Sequence, residues 1–119
     1  MAAKVDIRIR IHIPGEIALG PGKATLLEAI HATGSISAAA RQMEMSYRRA
    51  WQLVDAMNRS FRTPVVATAV GGARRGGATL TPLGQEALKH FRALEAAAMK
   101  ALRARLGPLE ALLAEEAAP

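Results

Sequence analysis

Between Gly34 and Phe61 the chain reads GSISAAARQMEMSYRRAWQLVDAMNRSF, and no other stretch constrains the fold as much. Ser35 and Ser46 are both helix-start residues, because a serine oxygen can accept a bond from a free amide in the first turn that follows it. The spacing leaves room for one short helix, from the Ser35 cap to about Met43, and a turn at Glu44-Met45. A further helix then runs from the Ser46 cap to about Phe61. Ala39 and Ala40 let a neighbouring backbone come close, so the two helices abut.

The helix after Ser46 has two faces. At about 100° per residue, Ala50, Val54, Met57 and Phe61 form one stripe, and Arg48, Gln52, Asp55 and Arg59 lie opposite. Arg49 flanks that polar face on one side, Tyr47 and Trp51 on the other. Asp55 would repel phosphate, but it lies about two turns along the helix, behind the basic end. Arginine at such an end can bond guanine or clamp a phosphate, and glutamine offers adenine both a donor and an acceptor. Ser46 and the free amides beside it can also hold a phosphate. Trp51 reads as a packing residue at the helix contact.

The flanking segments complete an order. Val5, Ile7, Ile9, Ile11 and Ile13 alternate with charged or polar residues, which predicts a half-buried strand over 5–13, stopped by Pro14-Gly15. Glu16 to Leu19 returns as a short second strand, and a first helix from Pro21 or Lys23 to Thr33 ends on Gly34. After Pro64, Val65 to Val70 and Ala78 to Leu80 read as two strands around the basic loop GGARRGG, a hairpin spanning 65–80. Thr81-Pro82 starts a long helix. Its apolar stripe is Leu83, Ala87, Phe91, Leu94, Ala98 and Leu102, and it should end near Gly107-Pro108. Strand, three helices, hairpin and helix is the order of a winged helix-turn-helix, mainly α with small β. The expected division is a DNA-binding unit over 1–82 and a long helix with a tail over 82–119.

Charge points to the same face. Residues 41–75 hold seven arginines against two acids, whereas the other 84 residues carry nine bases and eight acids. A basic third of a chain marks a surface for a polyanion, and double-stranded DNA is the expected partner. With no cysteine, disulfides, thiolate metal sites and cysteine nucleophiles are excluded. His12, His31 and His90 are scattered, and no catalytic triad order, phosphate-cradling loop or dinucleotide fingerprint occurs. The expectation is no enzyme, no metal, no cofactor and no membrane span, in a protein that works in the cytoplasm. Aromatics are only 3% of residues, so the core should consist of helices packed through small side chains. A helix of about 25 residues overreaches so small a domain, and its stripe favours pairing with a second copy in a homodimer.

The words GPGKATLLEAI, GSISAAA, MSYRRAW, LVDAMNRSF, a glycine-rich loop and LTPLG, in that order, resemble the N-terminal DNA-binding domain of the molybdate-responsive regulator (ModE) family, related to the LysR-type winged helix. The resemblance covers about Gly20 to Leu94. It implies a bacterial or archaeal transcriptional regulator. In it Ser35 and Ser37 would meet the DNA backbone, and Ser46, Tyr47, Arg48, Arg49 and Gln52 would supply the reading head. Arg74 and Arg75 at the hairpin tip fit the wing. They interrupt its glycines, and Ala67-Thr68-Ala69 stands where the family commonly has charge. Family members carry molybdate-binding domains after this one, and the sequence to Pro119 has no room for one, so the expectation is that oxyanion sensing does not carry over. The alternative function is a protein-interaction module that completes a split regulator, with little DNA affinity of its own. The exposed edge of the first strand would suit that role.

Overall fold

The computed structural model describes residues 3–69 and 77–114. Its elements are β1 (Ile11–Ile13), β2 (Glu16–Leu19), α1 (Pro21–Thr33), α2 (Ile36–Gln42), α3 (Tyr47–Ser60), β3 (Val66–Thr68), β4 (Ala78–Leu80) and α4 (Pro82–Glu110). β1 pairs antiparallel with β2, and β3 with β4, in two separate two-stranded sheets. The architecture is a helix-turn-helix followed by a hairpin wing and a long helix.

The helix boundaries follow local chemistry. Ser35 caps α2 by accepting the Ala38 amide at 3.1 Å, and Ser46 caps α3 by accepting the Arg49 amide at 3.0 Å. Gly34 ends α1 in the left-handed conformation, φ 71°. Glu44 takes that role after α2, at φ 55°, and its amide reaches the Arg41 carbonyl while the Met45 amide reaches that of Ala40. The two bonds satisfy carbonyls that the end of a helix leaves free, and they fix the turn into α3.

The core lies where α1, α2, α3, the wing and α4 meet. Leu26, Leu27, Ile30, Val54, Met57, Val65 and Phe91 are its largest fully buried side chains, and Ala24, Ala39, Ala40 and Ala50 let the helices approach closely. Trp51 and Phe61 pack against this cluster from its edge. Arg92 on α4 joins Glu28 on α1 by two bonds of 3.0 and 2.7 Å, touches Thr25 at 3.3 Å and pairs with Glu95 at 2.7 Å. Its guanidinium holds the Glu28 carboxyl below the usual carboxylate range.

Three expectations are corrected. The strand expected over 5–13 is paired only at Ile11–Ile13, because β2 offers just four residues and the register shifts between Ile11 and His12. Residues 3–10 keep the expected alternation of half-buried and exposed positions and have no partner strand among the described residues. The last helix continues through Gly107-Pro108 to Glu110. Proline's fixed φ suits a helix, so Pro108 costs a backbone bond without stopping the chain. The stripe assigned to dimer pairing is divided, since Phe91 is 2% exposed and belongs to the domain's own core, with Leu83 packed against the same cluster. Leu94, by contrast, is 51% exposed.

Candidate nucleic-acid interface

The stripe of α3 buries Ala50, Val54 and Met57 completely, and this sets which way the rest of the helix faces. Tyr47, Arg48, Arg49 and Gln52 are exposed on its first turns. Tyr47 meets Trp51 edge to face, with ring centroids 6.3 Å apart, so the half-buried indole braces the phenol. Among the described residues no carboxylate lies within 4.0 Å of Arg48 or Arg49. Arg59 differs, because it pairs with Asp55 one turn back and reaches Glu16 at 3.9 Å. The acid on this face is thereby matched within the protein, and the unmatched positive charge gathers at the start of the helix.

Ser35 and Ser37 stand at the start of α2. Ser35 is half-buried and also bridges to Gly77, while Ser37 is exposed and accepts a 3.4 Å bond from Arg41. The wing is tied to this corner, since the Ala78 amide donates to the Gly34 carbonyl at 2.9 Å and the Ala69 amide to Gly77 at 2.9 Å. Arg74 and Arg75, expected at the wing tip, lie outside the described residues, as does Val70.

One positioning residue escaped the sequence reading. Asn58, near the end of α3, accepts the amides of Val65 and Val66 at 2.8 and 3.1 Å and donates to the Val66 carbonyl at 3.2 Å. It acts as a short piece of strand at the root of the wing and ties the wing to α3. An asparagine late in a helix just before a proline-led strand is the only local signal it leaves.

Among the described residues no three His, Cys, Asp or Glu are grouped to hold a metal ion, and no helix is long and apolar enough to cross a membrane.

A helix-turn-helix that presents an unmatched basic turn beside a tethered wing defines a winged-helix domain of the DNA-binding kind. Residues 23–85, more than half the chain, match the sequence model of the bacterial regulatory helix-turn-helix proteins of the lysR family, and the chain belongs to that family. It is 48% identical over 84 residues to the molybdenum-pterin-binding protein MopB of Rhodobacter capsulatus, covering 71% of this chain and 31% of the relative. It is 41% identical over 78 residues to the molybdenum transport protein ModE of Azotobacter vinelandii, covering 66% of this chain and 29% of that one. The chain thus spans about a third of the length of these relatives. Among solved structures, the CbnR DNA-binding domain in complex with DNA shares the fold with a TM-score of 0.57 at 20% identity, over 73% of this chain and 95% of that one. The family consists of regulators, not enzymes.

Proposed function

We propose that this chain binds double-stranded DNA in a sequence-specific way as the reading part of a transcriptional regulator in the bacterial cytoplasm, and that it does so as a homodimer. The observation that carries this reading is the exposed first turn of α3, where Arg48 and Arg49 have no carboxylate partner among the described residues while the opposite stripe of the helix is wholly buried. Entering the major groove by that end, α3 brings Arg48, Arg49, Gln52 and Tyr47 to base edges, and Ser46 to a phosphate. Ser35 and Ser37 meet the backbone from α2, and Arg74 and Arg75 meet it from the wing. In this reading residues 1–82 form the DNA-binding unit and the helix and tail over 82–119 serve pairing.

Pairing is supported by the length and surface of α4. Its 29 residues rise about 43 Å at 1.5 Å per residue. Beyond Phe91 it presents Leu94 and Leu109, both more than half exposed, with Ala98 and Leu102 half-buried between them. Two copies joined there would set two reading helices about one DNA turn apart, over a pseudo-palindromic site.

Selection of bound fragments from genomic DNA by the purified protein tests this reading, with and without added molybdate. Enrichment of a pseudo-palindromic motif is the expected result. Absence of any motif, with negligible affinity at physiological salt and a stoichiometric protein partner masking Arg48 and Arg49, would replace it by the protein-interaction reading.

A further inference from the structure

Counted along the sequence, Arg8 and Arg10 fall outside the basic third of the chain, yet the fold brings them to it. In the segment leading into β1, Val5, Ile7 and Ile9 are half-buried and Arg8 and Arg10 are exposed, with Ile9 packed on the core. The stem of Arg10 passes over the start of α1, where its Cγ lies 3.5 Å from the point a Cβ on Gly20 would occupy. Arg8 and Arg10 line one open cavity of about 510 Å³ together with Arg49 and Gln52 of α3.

The other charges around this cavity are Lys23 and Glu16. Lys23 donates to the Ile17 carbonyl and stands 3.6 Å from Glu16, which in turn reaches Arg59. The single acid is therefore shared between two other cations. Among the described residues no carboxylate lies within 4.0 Å of Arg8, Arg10 or Arg49. Three guanidiniums thus face one cavity with no matching negative charge. Their planar forks fit phosphate oxygens in pairs, and the cavity is continuous with the reading end of α3.

We propose that Arg8 and Arg10 form a second contact with the DNA backbone, holding phosphodiesters that flank the base pairs read by α3. Arg49 belongs to both surfaces. This inference rests on the reading of α3 given above. Because the contact is to phosphate, it adds affinity and fixes the register of the protein on the duplex without adding sequence preference.

The test compares the full chain with its R8A/R10A and R8K/R10K variants. Affinity for the selected site is measured between about 50 and 200 mM salt, on duplexes with long flanks and on duplexes trimmed to the motif. On long duplexes the plot of log affinity against log salt should be shallower by about 2 for R8A/R10A. The lysine variant should recover the slope, base preference should stay as in the parent, and the difference should shrink on trimmed duplexes. Equal affinity and slope for parent and R8A/R10A would overturn the inference while leaving the role of α3 intact. If the parent selects no DNA at all, both readings fall. Stabilisation of the parent alone by millimolar inorganic phosphate, with no change in DNA slope, would mark a free-anion site and also overturn it.

Discussion

A Cβ built on Gly84 would stand 2.1 Å from the carbonyl oxygen of Val65, so the first turn of α4 and the start of the wing meet backbone against backbone. The contact is fixed from both sides. Thr81 donates its amide to the same Val65 oxygen at 3.0 Å, and its hydroxyl accepts the Gly84 amide at 3.0 Å. Because the obstructing atom belongs to the main chain, it cannot turn aside as a side chain would. Gly84→Ala should therefore cost about 3 kcal/mol, at the upper end of overpacking effects, and urea unfolding would show it as a lower midpoint with an unchanged slope.

Asn58 provides a second anchor for the wing. Asn58→Ala leaves two amides and a carbonyl without its side chain and should cost about 3 kcal/mol in chemical denaturation. Asn58→Asp keeps an acceptor for the Val65 and Val66 amides and should retain part of that stability. Equal losses in the two variants would show that the amides find other partners.

Arginines of different duty should separate in binding experiments. Arg48→Ala should cost about 1–3 kcal/mol on the preferred site and relax its sequence, as expected for a base contact. Arg75→Ala should weaken all sequences alike and reduce the salt slope by about 1. Titration of a panel of mutated duplexes distinguishes the two outcomes.

The division of the α4 stripe makes a paired prediction. Leu94→Glu, at a half-exposed position, should shift sedimentation from dimer to monomer while leaving the thermal midpoint of the domain nearly unchanged at low concentration. Phe91→Ala, in the core, should instead destabilise the fold by about 3–5 kcal/mol. A Leu94→Glu protein that sediments as the parent does would remove this face from the pairing surface.

The Arg92–Glu28 pair gives a dependence on pH. Arg92 holds the Glu28 carboxyl low in the folded chain. The contribution is complete above the ordinary carboxylate pKa of about 4.3 and fades as pH falls through the lower folded value. Both side chains are partly exposed, so it should stay under about 1 kcal/mol. Parent and Glu28→Gln should differ in urea midpoint near pH 7, and the gap should narrow and then close as acid protonates Glu28 in the folded chain.

What could be read from the sequence was whatever local chemistry decides. Ser35, Ser46 and Thr81 announce their helices because a cap and the amide it accepts lie within three residues. The buried stripe of α3 follows from helical period alone. Periodicity does not say which neighbour covers a stripe, and Phe91 shares a stripe with exposed Leu94 although its own domain buries it. The alternation marks which side chains turn inward as far as Ile9, but Ile11 and Ile13 are exposed, and a strand needs a partner, so the length of β2 sets its extent. Asn58, and Arg92 with its contact to Glu28 across 64 residues, depend on tertiary neighbours and leave almost no local trace.

The bonds from Ala78 to Gly34 and from Thr81 to Val65 have a thermodynamic consequence for recognition. They join the root of the wing to the corner before α2 and to the start of α4 in the free protein. Ordering that root is therefore a cost met during folding, so little of it would be left to weaken the proposed association with DNA. The spacing between the wing root and α3 is preorganised, and a duplex whose grooves do not match it must supply the deformation itself. On the proposed reading of α3, a protein built this way would discriminate among sequences by their stiffness at base pairs it never touches.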